Sequence, residues 1–197
     1  MSNVDSDEFP QETTREAVVL DFLAHGRSDD DRPQYQKDPL AYALGVDDFH
    51  LLECTIDGDA TVTIGDRLVV DPAGERSAAI ASVRAVEYDD LSGGAQSELA
   101  YVVEDVVEAQ ADRFVEFYTE AQPVTLRLHQ LNLLPGIGDK LQESILDERR
   151  RGPFESFEDI EARVDGLHDA KQVIVDRIMQ ELTEDDLKYQ VFVRRNE

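Results

Sequence analysis

The stretch LLPGIGDKLQESILDERR, from Leu133 to Arg150, decides the reading of this chain, because it has the form of a helix, a glycine hairpin and a second helix. Leu126, Leu131 and Leu134 make an apolar approach to Pro135, which removes an amide donor and ends a helix. The pattern predicts that this first helix opens at Pro123. Gly136 and Gly138 follow, and both are expected to take positive φ, which turns amides outward where the second helix begins. Those amides and the positive end of the helix dipole then converge on one point, a geometry that holds a phosphate oxygen. Ile137 reads as the apolar plug between the glycines, anchored on Leu141 and Ile145, and Lys140 lies within reach of the same anion. Arg149, Arg150 and Arg151 end the second helix, with Gly152 as its cap. Successive residues project about 100° apart, so at least one of the three arginines is expected to face outward toward a neighbouring phosphate. The candidate nucleic-acid-binding set is therefore Gly136, Ile137, Gly138, Lys140, Arg149, Arg150 and Arg151.

Beyond Arg151 the pattern returns in a degenerate form. GPFESFEDIEARV reads as a turn and a helix capped by Ser156, with Glu158 and Asp159 in its first turn. DGLHDAKQVIVDRIMQEL then has the outline of a second hairpin and helix, in which Gly166 and Lys171 take the places of the first glycine and the lysine. The second glycine is replaced near His168, so this copy is expected to be structural, burying a shared core through Ile160, Val164, Leu167, Val173, Ile174 and Ile178. The tail KYQVFVRRNE is expected either to add a strand or to stay loose.

Toward the N-terminus the period changes. EAVVLDFLAHG, FHLLECTI, TVTIGDRLVVD and SAAIASVRAVEYD read as strands separated by turn-rich segments, and DPLAYALG predicts a short helix at Pro39 to Leu44. Four to six short strands suggest a small closed barrel; IGDRLVVD resembles the turn into a strand of oligonucleotide-binding (OB) barrels, and an SH3-like barrel would show much the same pattern. From Ser92 the period is helical, with Leu99, Val102, Val103, Val106 and Val107 in one stripe, continued by Phe114, Val115, Phe117 and Tyr118 after a break near Ala111. The aromatic residues read as core in preference to a base-stacking surface. The expected class is α+β: a disordered segment 1–14, a small OB-like β-barrel over 15–90, and an all-α domain over 91–183 with helix-hairpin-helix units at 123–151 and 153–182. A tail follows at 184–197.

Charge sets the setting. Forty-four acidic residues against nineteen basic ones give a net charge of −25, the wrong sign for long-range attraction to phosphates. The exception is Thr125 to Arg151, where Arg127, Lys140, Arg149, Arg150 and Arg151 outnumber Asp139, Glu143, Asp147 and Glu148. Lysines are few (Lys37, Lys140, Lys171 and Lys188), aspartate exceeds glutamate, and the apolar content is still 41%. That combination fits a folded protein with a carboxylate-coated surface, as in a salt-loving organism. At about 1 M salt the Debye length falls to roughly 3 Å and screens the self-repulsion. Counterion release then drives binding less, and backbone amides matter more than lysine charge.

Enzymatic chemistry finds no support in the pattern. His25, His50, His129 and His168 show no metal-ligand spacing with one another or with Cys54, and neither a GxSxG nor a phosphate-loop sequence occurs. Acidic pairs such as Asp47 with Asp48, or Asp185 with Asp186, are expected on solvated faces of so acidic a chain. No catalytic residue, metal or cofactor is expected. The single cysteine, Cys54, excludes an internal disulfide and reads as a small buried hydrophobe. No long apolar run and no signal-peptide pattern occurs, so no membrane partner is expected and the predicted location is the cytoplasm.

The whole chain also resembles an archaeal family catalogued as domain of unknown function 655. The matching phrases are LDFLAHG, RPQYQKDPLAYALG, FHLLE, IGDRL, SELAYVVEDVVEAQADRFVEFYTEAQPVTLRLHQLNLLPGIG and PFESFEDIEARVDGL, covering about residues 15 to 190. The resemblance implies an OB-type barrel joined to helix-hairpin-helix units and a role in binding RNA or nucleotides; it implies no activity. Two residues depart from related hairpins: Asp139 stands where a small or basic residue is usual, and Gln142 where alanine is usual. Asp139 repels a bound phosphate while favouring the helix N-terminus. The function expected is non-catalytic nucleic-acid binding, RNA rather than DNA, through backbone phosphate. The alternative is a protein-interaction adaptor in transcription, repair or ribosome assembly, with protein partners.

The charge reading is testable without a ligand. Dialysis from molar to low salt is expected to lower the melting temperature seen by circular dichroism, because the repulsion among the surplus carboxylates is then unscreened. An unchanged melting temperature contradicts the salt-adapted reading.

Overall fold

The computed structural model describes residues 14–77 and 79–194. The expected disorder of the N-terminal segment falls, up to residue 13, outside the described residues. Five strands, β1 (Arg15–Leu23), β2 (Leu40–Gly45), β3 (Leu51–Ile56), β4 (Arg67–Asp71) and β5 (Ile80–Ala85), form one antiparallel sheet in the order β4-β1-β2-β3-β5. The sheet curls into a half-barrel. A bulge at Leu20, where the β1–β2 register shifts between Val19 and Asp21, adds to the bend. The expected closed barrel is corrected here, because β4 and β5 end the strand order and no ladder joins them among the described residues. The connection instead turns through Ala73–Glu75 and folds back, so that the Ser77 amide donates to the Val69 carbonyl.

Strand alternation divides the sheet residues between two cores. Ala17, Val19, Ala41, Ala43, Leu52, Cys54, Ile56, Leu68 and Val70 fill the inside of the curl, where alanines on the central strands leave room for the larger side chains opposite. Val18, Leu20, Leu40, Tyr42 and Leu44 face the other way, into the core shared with the helices. The helix expected at Pro39 to Leu44 is therefore a strand. Leu and Ala there are good helix formers, but β2 sits between β1 and β3 with all six residues buried, and burial on both faces overrides local propensity.

Helix α1 (Gly93–Ala109) lies across that second face. Ser92 starts it by accepting from the Ala95 amide while its hydroxyl donates to Asp21 on β1. The stripe Leu99, Val102, Val103, Val106 and Val107 is buried as its spacing predicts. The chain breaks at Gln110 and continues as α2 (Ala111–Glu120), whose Phe114, Val115 and Tyr118 are buried, with the Tyr118 hydroxyl donating to the Ala170 carbonyl at 2.8 Å. These aromatics belong to the core. After α2 come α3 (Asp139–Arg149), α4 (Phe157–Arg163) and α5 (Ala170–Thr183), with Ser156 capping α4 as expected. One apolar cluster runs without interruption from the sheet through α1 and α2 to α5.

Among the described residues, up to 194, the tail forms no strand, and it is not loose. Glu181 on α5 is buried, and its carboxylate accepts from the amides of Val191, Phe192 and Val193 at 2.7, 2.9 and 2.9 Å and from Arg177 Nε at 2.8 Å. Phe192 packs edge-on against Phe114 and Phe117, and the Arg194 amide donates to the Asp48 carbonyl of the β2–β3 turn. The tail thus ties α5 to the sheet. Glu181→Ala strips a buried arginine and three amides of their acceptor at once, and is expected to lower the unfolding free energy by about 3 to 5 kcal/mol. Urea denaturation of wild type and variant measures this; a loss below about 1 kcal/mol marks the tail as peripheral.

Candidate nucleic-acid interface

The glycine turn forms, but what precedes it is not the helix expected from Pro123. Pro123–Thr125 (β6) and Leu128–His129 (β7) make a tight two-stranded hairpin, followed by a single 3-10 turn at Gln130–Leu133. The reason is local. Pro123 has no amide, Val124 and Thr125 are β-branched, and Thr125 Oγ1 accepts from the Arg127 amide to close the turn. Leu126, expected on the apolar stripe, is instead at the tip of this hairpin and fully exposed.

His129 and Asn132 carry the chain into the turn. The His129 amide donates to Asn132 Oδ1, Asn132 Nδ2 donates to the Ile137 carbonyl at 3.4 Å, and the Leu131 amide donates to His129 Nδ1 at 3.1 Å. Gly136 has φ +79°, which favours glycine. Ile137 then turns inward, 4% exposed, with its amide donating to the Leu134 carbonyl. Gly138 departs from expectation: its φ of −85° and ψ of −177° are ordinary extended backbone, because it serves as the N-cap of α3 and not as a second left-handed turn residue. A Cβ at Gly138 would meet nothing within 4 Å. Gly136 alone is demanded by backbone conformation.

The start of α3 is open. Gly138 offers no capping side chain, and among the described residues the amides of Gly138, Asp139 and Lys140 donate to nothing. The second hairpin has the same turn, with Gly166 at φ +87° and the Leu167 amide donating to the Val164 carbonyl, and the opposite ending. There Asp169 accepts from the Gln172 amide and Glu161 from the Ala170 amide, so α5 begins already capped. Lys171 is held between Glu104 and Glu108, whose carboxylates push its pKa upward.

The cations sort in the same way. Lys140 is exposed beside the open amides. Arg149 is committed elsewhere: Nη1 donates to the Ala121 carbonyl at 2.8 Å, and burial pushes its pKa down. Arg150 pairs with Asp147 and Arg151 with Glu148, on the last turn of α3, about 15 Å from Gly138 along the helix. The structure therefore groups Gly136, Ile137, Gly138 and Lys140, and places the three arginines at the other end of α3. Among the described lysines and arginines, the side chains of Arg127, Lys140 and Arg194 make no hydrogen bond, ion pair or ring contact. Two of these, Arg127 and Lys140, flank the turn in sequence, and both are exposed. Arg127 was not in the candidate set; the signal for it was its position in Ala121 to Gly138, eighteen residues without a carboxylate.

A family model described as "Protein of unknown function (DUF655)" matches residues 13–194. The chain belongs to the DUF655 family. It is 37% identical over 186 residues to an uncharacterised protein of Methanocaldococcus jannaschii, covering 94% of this chain and 82% of that one. The crystal structure of Af1531 from Archaeoglobus fulgidus, described with the same family, superposes with a TM-score of 0.83 at 38% identity, covering 91% of this chain and 99% of that one. Among the described residues no three histidine, cysteine, aspartate or glutamate side chains come together to hold a metal, and no helix is long and apolar enough to cross a membrane. Cys54 is buried on β3, and burial pushes its thiol pKa up to about 11, as suits a small core hydrophobe.

His129 makes the base of the turn sensitive to acid. Burial, and then the positive charge of Arg149, lower its pKa below the ordinary 6.5. The unfolded chain therefore binds this proton more readily than the folded one, and stability rises with pH. The contribution is complete above the unfolded value and is lost as pH falls through the lowered folded value, where protonated Nδ1 no longer accepts from the Leu131 amide. His129→Asn, whose amide oxygen can accept but does not titrate, is expected to flatten the stability profile below pH 6.5 relative to wild type. Parallel profiles from chemical denaturation contradict this.

Proposed function

We propose that this protein binds nucleic acid without catalysis, RNA rather than DNA, and grips a backbone phosphate with the turn Gly136 to Lys140. The reading takes the glycine turn and α3 as a helix-hairpin-helix unit, with the β6–β7 hairpin and 3-10 turn in place of its first helix. It takes the curled sheet as an OB-like surface that adds contacts to a single strand or structured RNA. The observation that carries it is the open N-terminus of α3 with the uncommitted Lys140 in its first turn, and the uncommitted Arg127 on the hairpin that leads into it, in a chain whose other hairpin is closed by its own carboxylates.

An anion at this place receives several amides and the helix dipole, and charge-assisted hydrogen bonds of this kind are short and strong. The grip is short-ranged. Net charge −25 repels a polyanion at a distance, and high salt removes that repulsion along with the attraction of the lysine. We take the carboxylate coat as adaptation to such a medium. Binding through amides carries no base information, so recognition at this point is of backbone and shape.

Gly138→Val tests the site directly. Valine adopts φ −85° without strain and its Cβ would meet nothing within 4 Å, so the variant is expected to fold while its branched side chain crowds the amides. The expected loss of affinity for RNA is about 1 to 3 kcal/mol, the scale of one or two charge-assisted bonds. Fluorescence anisotropy in high salt measures it. Unchanged binding by the folded variant rules the turn out.

A further inference from the structure

The β6–β7 hairpin presents Leu126 at its tip, more exposed than Tyr35, Tyr101 or Ile64, the other large apolar side chains in water among the described residues. No intramolecular packing accounts for this side chain. The hairpin that carries it is firmly built: Pro123 pairs with His129 and Thr125 with Leu128, the Gln130 amide donates to the Gln122 carbonyl, and the Gln122 amide donates to Gln130 Oε1. It is also coupled to the phosphate turn, since His129 leads through Asn132 to the Ile137 carbonyl. The tip lies three residues before His129, at most about 10 Å away even for fully extended chain. Arg127 stands beside Leu126 with no side-chain partner among the described residues, and the whole of Ala121 to Gly138 lacks a carboxylate in a chain with 44 of them.

We infer that Leu126 is an apolar wedge that enters an unstacked base step of a helical RNA while the turn Gly136 to Lys140 holds that RNA's backbone. The inference rests on the nucleic-acid reading of the turn and names the form of its ligand. An aliphatic side chain inserted at a base step takes over contacts that stacking would otherwise make, and the cost of opening the step is lowest where a bulge or mismatch has already opened it. A fully paired helix offers its phosphates but no such step. The carboxylates that coat the rest of the surface have no donor to offer a phosphate even where salt screens their charge, so contact favours the acid-free hairpin, where Arg127 can meet a phosphate next to the opened step. The partner is thus helical RNA interrupted by a bulge or mismatch.

The test uses the full chain in high salt and three RNA duplexes of one sequence: fully paired, with one mismatch, and with a one-nucleotide bulge. A fluorescent purine analogue sits beside the interruption. Wild type is expected to bind the interrupted duplexes about tenfold more tightly than the paired one and to raise the purine fluorescence. Leu126→Ala, which removes no packing inside the protein, is expected to bind all three equally and leave the fluorescence unchanged. Gly138→Val is expected to weaken all three alike and keep the preference. If wild type shows no preference, or if Leu126→Ala retains both preference and fluorescence, the wedge is overturned and Leu126 is left as a contact for a protein chain. Unchanged affinity in Gly138→Val alone overturns the phosphate turn and not the wedge, whereas failure of wild type to bind any of the duplexes, or their DNA counterparts, overturns both.

Discussion

A surplus of twenty-five carboxylates must stay in water, and the rest of the structure is arranged around that constraint. Among the described residues the buried polar ones are few: Asp48, His129, Arg177 and Glu181, each with hydrogen-bond partners inside the fold. Nearly all described cations are taken by acids or carbonyls, as Arg27 and Arg84 are by Glu53, or Arg163 by Asp159 and the Gly152 carbonyl. A cation left over in such a chain is unusual. That one of the three is in the first turn of α3 and another on the hairpin leading into it connects the charge pattern to the proposed site more firmly than local net charge does.

Compactness then has to come from apolar packing and from a few well-satisfied internal ties. The core is continuous because α1 buries one side against the sheet and another against α5, so the half-barrel and the helices share their apolar surface. Glu181 shows how a carboxylate can be afforded inside: three successive tail amides and Arg177 replace its hydration. Each charged or dipolar group there is matched, and Phe192 is held over Phe114 and Phe117 as a result.

Much of the local structure was legible because one physical signal dominated each piece. The α1 stripe, the Ser156 cap, the Gly136 turn and the Ile137 plug follow from helical period, capping chemistry and positive φ. The errors came where two signals competed. LAYALG carries helix formers, yet its neighbours in space are two strands, which no local window contains. Leu126 fits a helical stripe by spacing, but Pro123 and two β-branched residues turn the chain first. Gly138 looked like Gly136, and only its place as the helix N-cap separates them. The three arginines were legible as cations and not as partners, because Ala121, Asp147 and Glu148 claim them by tertiary and last-turn geometry. The tail was open in the sequence for the same reason: its acceptor, Glu181, lies a helix turn and a loop away and looks like any surface acid.

The two hairpins sharpen what the missing cap means. Both solve the turn with a left-handed glycine followed by an inward apolar residue, and both must then satisfy the first amides of a helix. The second does so with Asp169 and Glu161, at no need of anything outside the chain. The first has an acid available, Asp139, but it stands one position too late to cap, inside the first turn of α3, where it favours the dipole without occupying the amides. In a chain this rich in Asp, an aspartate at the cap itself would be the ordinary residue, and glycine there forgoes that stability. The extended φ at Gly138 means the backbone does not require it. What glycine leaves at that position is clear space before the unpaired amides, the space that the proposed phosphate grip needs.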